Sequence, residues 1–397
     1  EALTFTFSDS GITVSGDGSG YKIKGTKLTI NAAGTYYVTG QCSEGSIEVK
    51  DATDVTIVLD NLTLSSSTTA PIILKKSTSA TLQLSGTSTL TDKEDVALDE
   101  VEGSDFEGAA IKVKSSATLN LSGDGSLKVN ASDCKNGIKG GKSATINISG
   151  GTYIVNSANT GIACDGSLNI TGGSFNITAG NEGIKSSPDE DDADSKGTIN
   201  ISGGSFTINA ADDAIHGQNG LTVTGGDFEI NAGDDAFHSD YETTIGINGS
   251  SSGPSINIVS SYEGIEGAVV NLYSGSATVN ASDDGINAAN GDLNDYGYAI
   301  NITGGVWYIN SGGDGVDSNG DVSISGGQTE VFGSTNGGNA ALDYDYNCSL
   351  TGGTLLAVGN KGMGQTVSTG LSIVYNDISI TNGTPIIIKN SAGTTVY

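Results

Sequence analysis

"INISGGSFTINAADDAIHGQNGLTVTGGDFEINAGDDAFHSD", Ile199 to Asp240, makes the same statement twice. A short alternating run leads to a glycine pair, then to a second alternating run carrying one aromatic. Two acids and a third short run ending in histidine follow. Alternation with a period of two marks half-buried strands, and no window here has a helical period. The leading glycines, Gly203 and Gly225, stand 22 residues apart, so each repeat holds three short strands in 22 residues.

The unit recurs, with glycine pairs opening at Gly150, Gly172, Gly203, Gly225, Gly304 and Gly326, spaced by 22, 31, 22, 79 and 22 residues. The long intervals hold an acidic insertion (Ser186 to Gly197, including "PDEDDAD", Pro188 to Asp194), a divergent copy, "VNLYSGSATVN", and two further insertions. Three strands in 22 residues is the size of one coil of a parallel solenoid, whose coils stack about 4.8 Å apart. A propeller blade needs about 40 residues and four strands. The expected fold class is all-β, a parallel β-helix with three strands per turn. It forms a single domain: 1–54 as N-terminal cap and irregular first turns, 55–353 as coils, and 354–397 as C-terminal strands and cap, ending in "TTVY". Stacking puts equivalent residues in files. Tyr153, Phe175, Phe206, Phe228 and Trp307 share an inward position; Asn156, Asn209, Asn231, Asn280 and Asn310 share the following turn.

Composition narrows the partners. The 397 residues include 60 glycines and only 4 prolines, with 36% hydrophobic residues in alternation, which suits a folded β protein and neither collagen nor a linker. There are 46 acids against 17 bases, all lysine, for a formal charge of -29. That charge argues against nucleic acid or an anionic membrane, and no apolar run is long enough to span one. The opening "EALTFTFSDS" has no leader pattern. Cys42, Cys134, Cys164 and Cys348 form no CxxC pair, leaving either disulfides of unassigned pairing or buried free thiols.

The stretch "DVTIVLDNLTLSSSTTAPIILKKSTSATLQLSGTSTLTD" (Asp54 to Asp92), "GAAIKVKSSATLNLSGDGSLKVN" (Gly108 to Asn130) and the "SGG" ladder resemble the bacterial surface family of carbohydrate-binding domain-containing proteins. The likeness runs from about Val55 to Gly353. It implies a right-handed β-helix similar to pectate lyases, secreted or held at the bacterial surface, in a structural class where calcium is common.

Aligning the third strands gives a charged file: Asn136, Thr160, Glu182, Asp213, Asp235, Glu263, Asp284, Asp314, Ala340. The preceding position adds Asp212, Asp234 and Asp283. Three positions on come Lys139, Ala163, Lys185, His216, His238, Glu266, Asn287, Asp317 and Asp343. Unit charges about 4.8 Å apart repel by roughly 3–4 kcal/mol at an effective dielectric near 20, so such a file must be screened, protonated or neutralised. Grouped hard oxygens suit Ca²⁺, and the expected metal residues are Glu182, Asp212, Asp213, Asp234, Asp235, Glu263, Asp283, Asp284, Asp314 and Asp317. Zinc wants more than the 2 histidines available, and a solvated acidic face is the competing account. His216, His238 and Lys185 are candidate ligand-binding groups.

The expected activity is calcium-containing, non-catalytic binding of plant cell-wall polysaccharide, pectin (polygalacturonate) or cellulose. With no arginine in the chain, the arginine-base pectate lyase mechanism is excluded. A lysine-base lyase using Lys185 or Lys139 is the enzymatic alternative, and an adhesin with a protein partner is the third class. Tyr308, Tyr344 and Tyr346 are candidate sugar-stacking rings.

Overall fold

The computed structural model describes residues 2–188, 196–293 and 296–370, with 372–374, 378, 384–385 and 387–395 beyond them. Asp189 to Asp194 of the acidic insertion, and Val396 and Tyr397 of the "TTVY" end, lie outside the described residues.

The two quoted repeats form strands Thr198–Ile201, Ser205–Ala210 and Ile215–Gly217, then Gly220–Val223, Asp227–Asn231 and Phe237–His238. Each strand pairs in parallel with the third strand after it, so Ile199 lies beside Leu221, Phe206 beside Phe228 and Ile215 beside Phe237. Repetition of that step along the chain gives three parallel ladders. Two of them merge into one 24-stranded sheet because Val55–Ser66, Asp321–Phe332 and Cys348–Val358 are long enough to serve both. The third is a 14-stranded sheet of short strands. The architecture is all-β, and the one helix among the described residues is the 3₁₀ turn Val96–Glu100.

Among the described strands, antiparallel pairing occurs in two N-terminal hairpins, Thr4–Ser8 with Gly11–Ser15 and Tyr21–Lys24 with Lys27–Ile30, which cover the first ladder edges; an isolated antiparallel bridge joins Lys389 and Thr395. Parallel stacking already begins on them: Thr4–Ser8 pairs with Gly34–Cys42, and Lys27–Ile30 with Ser46–Val49.

Alternation decides what is buried. In Ser205–Ala210 the Phe206 and Ile208 side chains are buried while Ser205, Thr207 and Asn209 face out. Tyr153, Phe175, Phe206 and Phe228 form one face-to-face file with centroids 5.0, 4.7 and 4.6 Å apart. Ile256 and Ala277 continue the register before Trp307. The polar edges of this file are used: Tyr153 Oη donates to Gly150 O, and Trp307 Nε1 to Gly304 O, each at 2.7 Å. The glycine pair is required where it stands. Gly204 has φ +114°, and a Cβ there would sit 3.0 Å from the Phe206 ring; a Cβ on Gly203 would meet Thr171 O at 2.8 Å.

The asparagines expected in the turn lie instead at the ends of the strands, because strand pairing continues through them; parts of the file are in register, with Asn231 Nδ2 donating to Asn209 Oδ1 at 3.1 Å and Asn310 to Asn280 at 3.4 Å. Thr178 and Ser260 interrupt it. A more continuous amide chain runs on the outer face of the first ladder: Asn147 to Asn120, Asn169 to Asn147 and Asn200 to Asn169, at 2.9, 2.9 and 3.2 Å. Asn169→Ala removes a donor and an acceptor from its middle, and a loss of about 1 kcal/mol in urea denaturation is expected. No loss would mean that water replaces the amide fully. The four cysteines are buried free thiols, the second of the two sequence alternatives.

Candidate functional site on the third ladder

Backbone hydrogen bonds fix the register of the charged file. Gly161 N donates to Glu182 O, Gly183 N to Asp213 O, Ala214 N to Asp235 O, Ala236 N to Glu263 O, Gly264 N to Asp284 O and Gly285 N to Asp314 O. The expected file from Thr160 to Ala340 therefore stands in one line. The outward position of the third strands forms a second line, Lys139, Ala163, Lys185, His216, His238, Glu266, Asn287, Asp317 and Asp343, and Lys112 extends it by one turn. The strand pattern of "GAAIKVK" carries the Lys112 signal, but it precedes the first glycine pair used to set the alignment.

The like charges are handled differently at each turn. Burial works against the Glu182 carboxylate, yet its contact with Lys185 and the Thr160 Oγ1 hydrogen bond at 2.8 Å hold it below the usual range. Asp213 is also buried, and both histidines overcome that penalty. Its Oδ2 lies 3.1 Å from His216 Nδ1 and 3.2 Å from His238 Nδ1, while its Oδ1 accepts the Asp235 N–H at 3.0 Å. The two imidazoles stack at 4.4 Å with planes 2° apart. Desolvation disfavours the His216 cation, but Asp213 and Asp240 push its pKa up to about 9. Its Nε2 faces Asp240 Oδ1 at 3.5 Å and is buried without a hydrogen-bond partner.

One turn further the balance reverses. Asp235 and Glu266 are desolvated and lie against each other, so both are raised and the pair holds a proton. Burial, then the charges of Asp235, Asp284 and Asp283, push Glu263 up to about 8 despite an Asn287 amide at 2.8 Å. Burial, then Asp283, Asp314 and Asp343, raise Asp284 to about 6; burial with Asp284, Asp314 and Asp343 raises Asp317 to about 7. Desolvation leads the causes at Asp212, Asp234 and Asp314 as well, all raised.

Of the ten residues expected to hold metal, six fall into two trios. Asp212, Asp213 and Asp234 bring carboxylate oxygens within 4.8 Å of one another, as do Asp284, Asp314 and Asp317. Asp235 instead joins His238 and Glu266. Glu182 and Glu263 are satisfied by Lys185 and Asn287 and enter neither trio, nor does Asp283. In the second trio, one oxygen each of Asp284 and Asp314 accepts a backbone N–H, from Asp314 and Ala340. These trios are oxygen-only, which fits Ca²⁺ with carbonyls and water completing its shell.

Two clefts flank the lines. One, of about 330 Å³, is lined by Lys112, Lys135, Lys139 and Lys185 together with Asp99, Glu107, Asp165 and Glu182, so positive and negative groups are equal in number. Lys139 contacts Asp165, Lys135 contacts Asp99, and Lys112 Nζ donates to Glu107 O at 2.8 Å. The other, of about 420 Å³, is lined by His238, Asp240, Tyr241, Glu266 and the 289–293 segment. Sequence reasoning missed Asp240 and Asp165 because both lie just past their strands, outside the repeated positions. Among the candidate rings, Tyr346 is exposed and Tyr308 is exposed against Phe332, while Tyr344 Oη is tied to Thr366 O at 2.6 Å.

Residues 24–267 and 250–392 match the family described as carbohydrate-binding domain-containing protein, and the chain belongs to it. The solved structure of the polysaccharide lyase-like protein from C. thermocellum, a gadolinium derivative, is similar at 26% identity and a TM-score of 0.52, covering 61% of this chain and 94% of that one. No curated protein matches the sequence. No helix of the described residues is long and apolar enough to cross a membrane.

Proposed function

We propose that the chain is a right-handed parallel β-helix, secreted or displayed at a bacterial surface, that binds plant cell-wall polysaccharide without cutting it. Pectin is the preferred ligand class and cellulose the neutral one. The observation that carries this reading is the polar line on the third ladder, with a charge-balanced lysine cleft at one end, one oxygen trio on the coils next to it and a second trio at the other end. Its period, about 4.8 Å per coil, gives an extended glycan a regular series of hydrogen-bonding groups. Calcium in the trios of Asp212, Asp213 and Asp234 or of Asp284, Asp314 and Asp317 supplies positive charge and open coordination positions for sugar carboxylates. The residues themselves orient the oxygens through backbone N–H contacts. Non-catalytic binding is favoured over the lyase because the two lysines first considered as bases each contact a carboxylate, Asp165 for Lys139 and Glu182 for Lys185.

A lyase reading has one specific support, Lys112. Desolvation, then the charges of Lys114 and Lys139, lower its pKa, which is the direction a general base needs. Incubation with polygalacturonate and calcium separates the two readings. Binding predicts pulldown that is lost with chelator and no ultraviolet-absorbing unsaturated product. Product formation that disappears in Lys112→Ala would replace the binder with a lyase. Retention on polygalacturonate unchanged by chelator would remove calcium from the account.

A further inference from the structure

A second cluster lies away from the charged lines, where the chain leaves the coil to form the 93–108 excursion. Asp92, Glu94 and Cys134 are 1%, 3% and 5% exposed, and their Oδ, Oε and Sγ ligand atoms lie within 4.8 Å of one another. Asp92 and Glu94 sit two apart and face the same way, and Cys134 comes from the following coil. Both carboxylates are oriented by backbone: Asp92 Oδ1 accepts Glu94 N at 2.9 Å, and Glu94 Oε1 and Oε2 accept Glu107 N and Gly108 N at 3.0 Å each. Asp92 Oδ2 is buried with no partner at hydrogen-bond geometry, and the one donor facing this carboxylate besides Glu94 N is the weak Cys134 S–H, whose pKa burial and Asp92 raise while no metal is bound. A buried carboxylate oxygen without a full hydrogen bond is costly unless something stronger occupies it. The nearby cation, Lys112, does not serve: its Nζ donates to Glu107 O, and no ion pair joins it to Asp92 or Glu94 among the described residues.

We infer that Asp92, Glu94 and Cys134 form a buried site for a borderline divalent metal of the zinc class. A thiolate with two carboxylates is a donor set zinc accepts and calcium does not, because calcium takes oxygen alone. Zinc bonds of about 2.0–2.3 Å draw the three ligand atoms to roughly 3.5 Å from one another, a closure of at most about 1.3 Å from a spacing within 4.8 Å. Binding breaks the Cys134 S–H bond, the proton leaves to solvent, and the sulfur pair forms the metal bond; no redox change is involved. The peptide N–H groups that hold Glu94 are the outer contacts that orient a metal ligand. They belong to Glu107 and Gly108, which also line the lysine cleft, so the metal would fix one wall of that cleft.

The experiment uses the full chain stripped with chelator and titrated with CdCl₂ or CoCl₂ alone. One thiolate-to-metal charge-transfer band saturating at one equivalent is expected, together with a rise in melting temperature on adding ZnCl₂. Cys134→Ser should abolish the band. Asp92→Asn, which keeps the shape and the Glu94 contact, should retain it with affinity weakened at least tenfold. If Cys134→Ser fails to fold, Asp92→Asn decides alone. Absence of the band in the folded native chain, its persistence in Cys134→Ser, or unchanged affinity in Asp92→Asn overturns the site. Calcium gives no such band, so the result is independent of the calcium reading above.

Discussion

Without divalent cations, the protein is expected to lose several kcal/mol of stability between pH 5 and pH 8, and to recover most of it on adding calcium. Asp284 is raised to about 6, Glu94 and Asp317 to about 7 and Glu263 to about 8, in each case by burial first and then by neighbouring carboxylates. A carboxyl with a raised folded pKa binds its proton more tightly folded than unfolded. Its contribution is whole below the unfolded value, near 4, and is lost as pH rises through the folded one. His216, raised to about 9, has the same sign: its contribution is whole below about 6.5 and lost toward pH 9. Asp213 and Glu182 act oppositely, since their lowered values give stability that disappears only as pH falls below about 4. Each group that is protonated when folded and ionised when unfolded contributes up to about 1.4 kcal/mol per pH unit, so the summed slope from pH 5 to 8 is downward. A fall in melting temperature on the order of 5 °C or more follows. Many proteins are instead most stable between pH 5 and 8. Calcium replaces the protons as countercharge and should flatten the profile. Thermal unfolding at pH 5, 6.5 and 8, with EDTA and with calcium, measures this; a flat or rising profile in EDTA would show that the carboxylates are screened by solvent.

Position along the ladders was legible in the sequence because one period governs every coil. Once Gly203 and Gly225 set the 22-residue step, Phe206 over Phe228 and Asp213 over Asp235 followed from counting, and the structure has both pairs in register. Environment was not legible. "DDAIH" and "DDAFH" read alike, yet Asp213 meets two imidazoles while Asp235 meets one imidazole and the Glu266 carboxylate, because each carboxylate contacts residues of the adjoining coil as well as its own. Repetition predicts a residue's coordinates and leaves its partners to the neighbours on either side. The Asp92, Glu94 and Cys134 cluster was hidden for a second reason. It is built where the repeat is interrupted, so no alignment of copies exposes it.

That difference of partners predicts opposite signs for the same substitution in adjacent coils. Asp213→Asn removes the one carboxylate that both imidazole Nδ1 atoms contact, at 3.1 and 3.2 Å. It leaves two stacked, largely buried rings facing an amide, and breaking a buried ion pair from one side costs about 3–5 kcal/mol. Asp235→Asn removes a carboxylate whose ionisation is opposed by burial and by Glu266. The new amide would donate to Glu266 as Asn287 already donates to Glu263 at 2.8 Å one coil away; His238 Nδ1 loses its 3.2 Å contact with the Asp235 carboxylate but keeps the one with Asp213, also at 3.2 Å. At pH 8 in EDTA, Asp235→Asn should therefore be neutral or stabilising by about 1–2 kcal/mol, and Asp213→Asn destabilising by about 3 kcal/mol. At pH 5 the advantage of Asp235→Asn should vanish, because Glu266, raised to about 7 by burial and neighbouring carboxylates, is then protonated as well and the native pair carries no charge. Urea denaturation of both variants at the two pH values checks the argument. Equal destabilisation by the two substitutions would mean that the file acts as a uniform charged surface and that the histidine contacts do not distinguish its members.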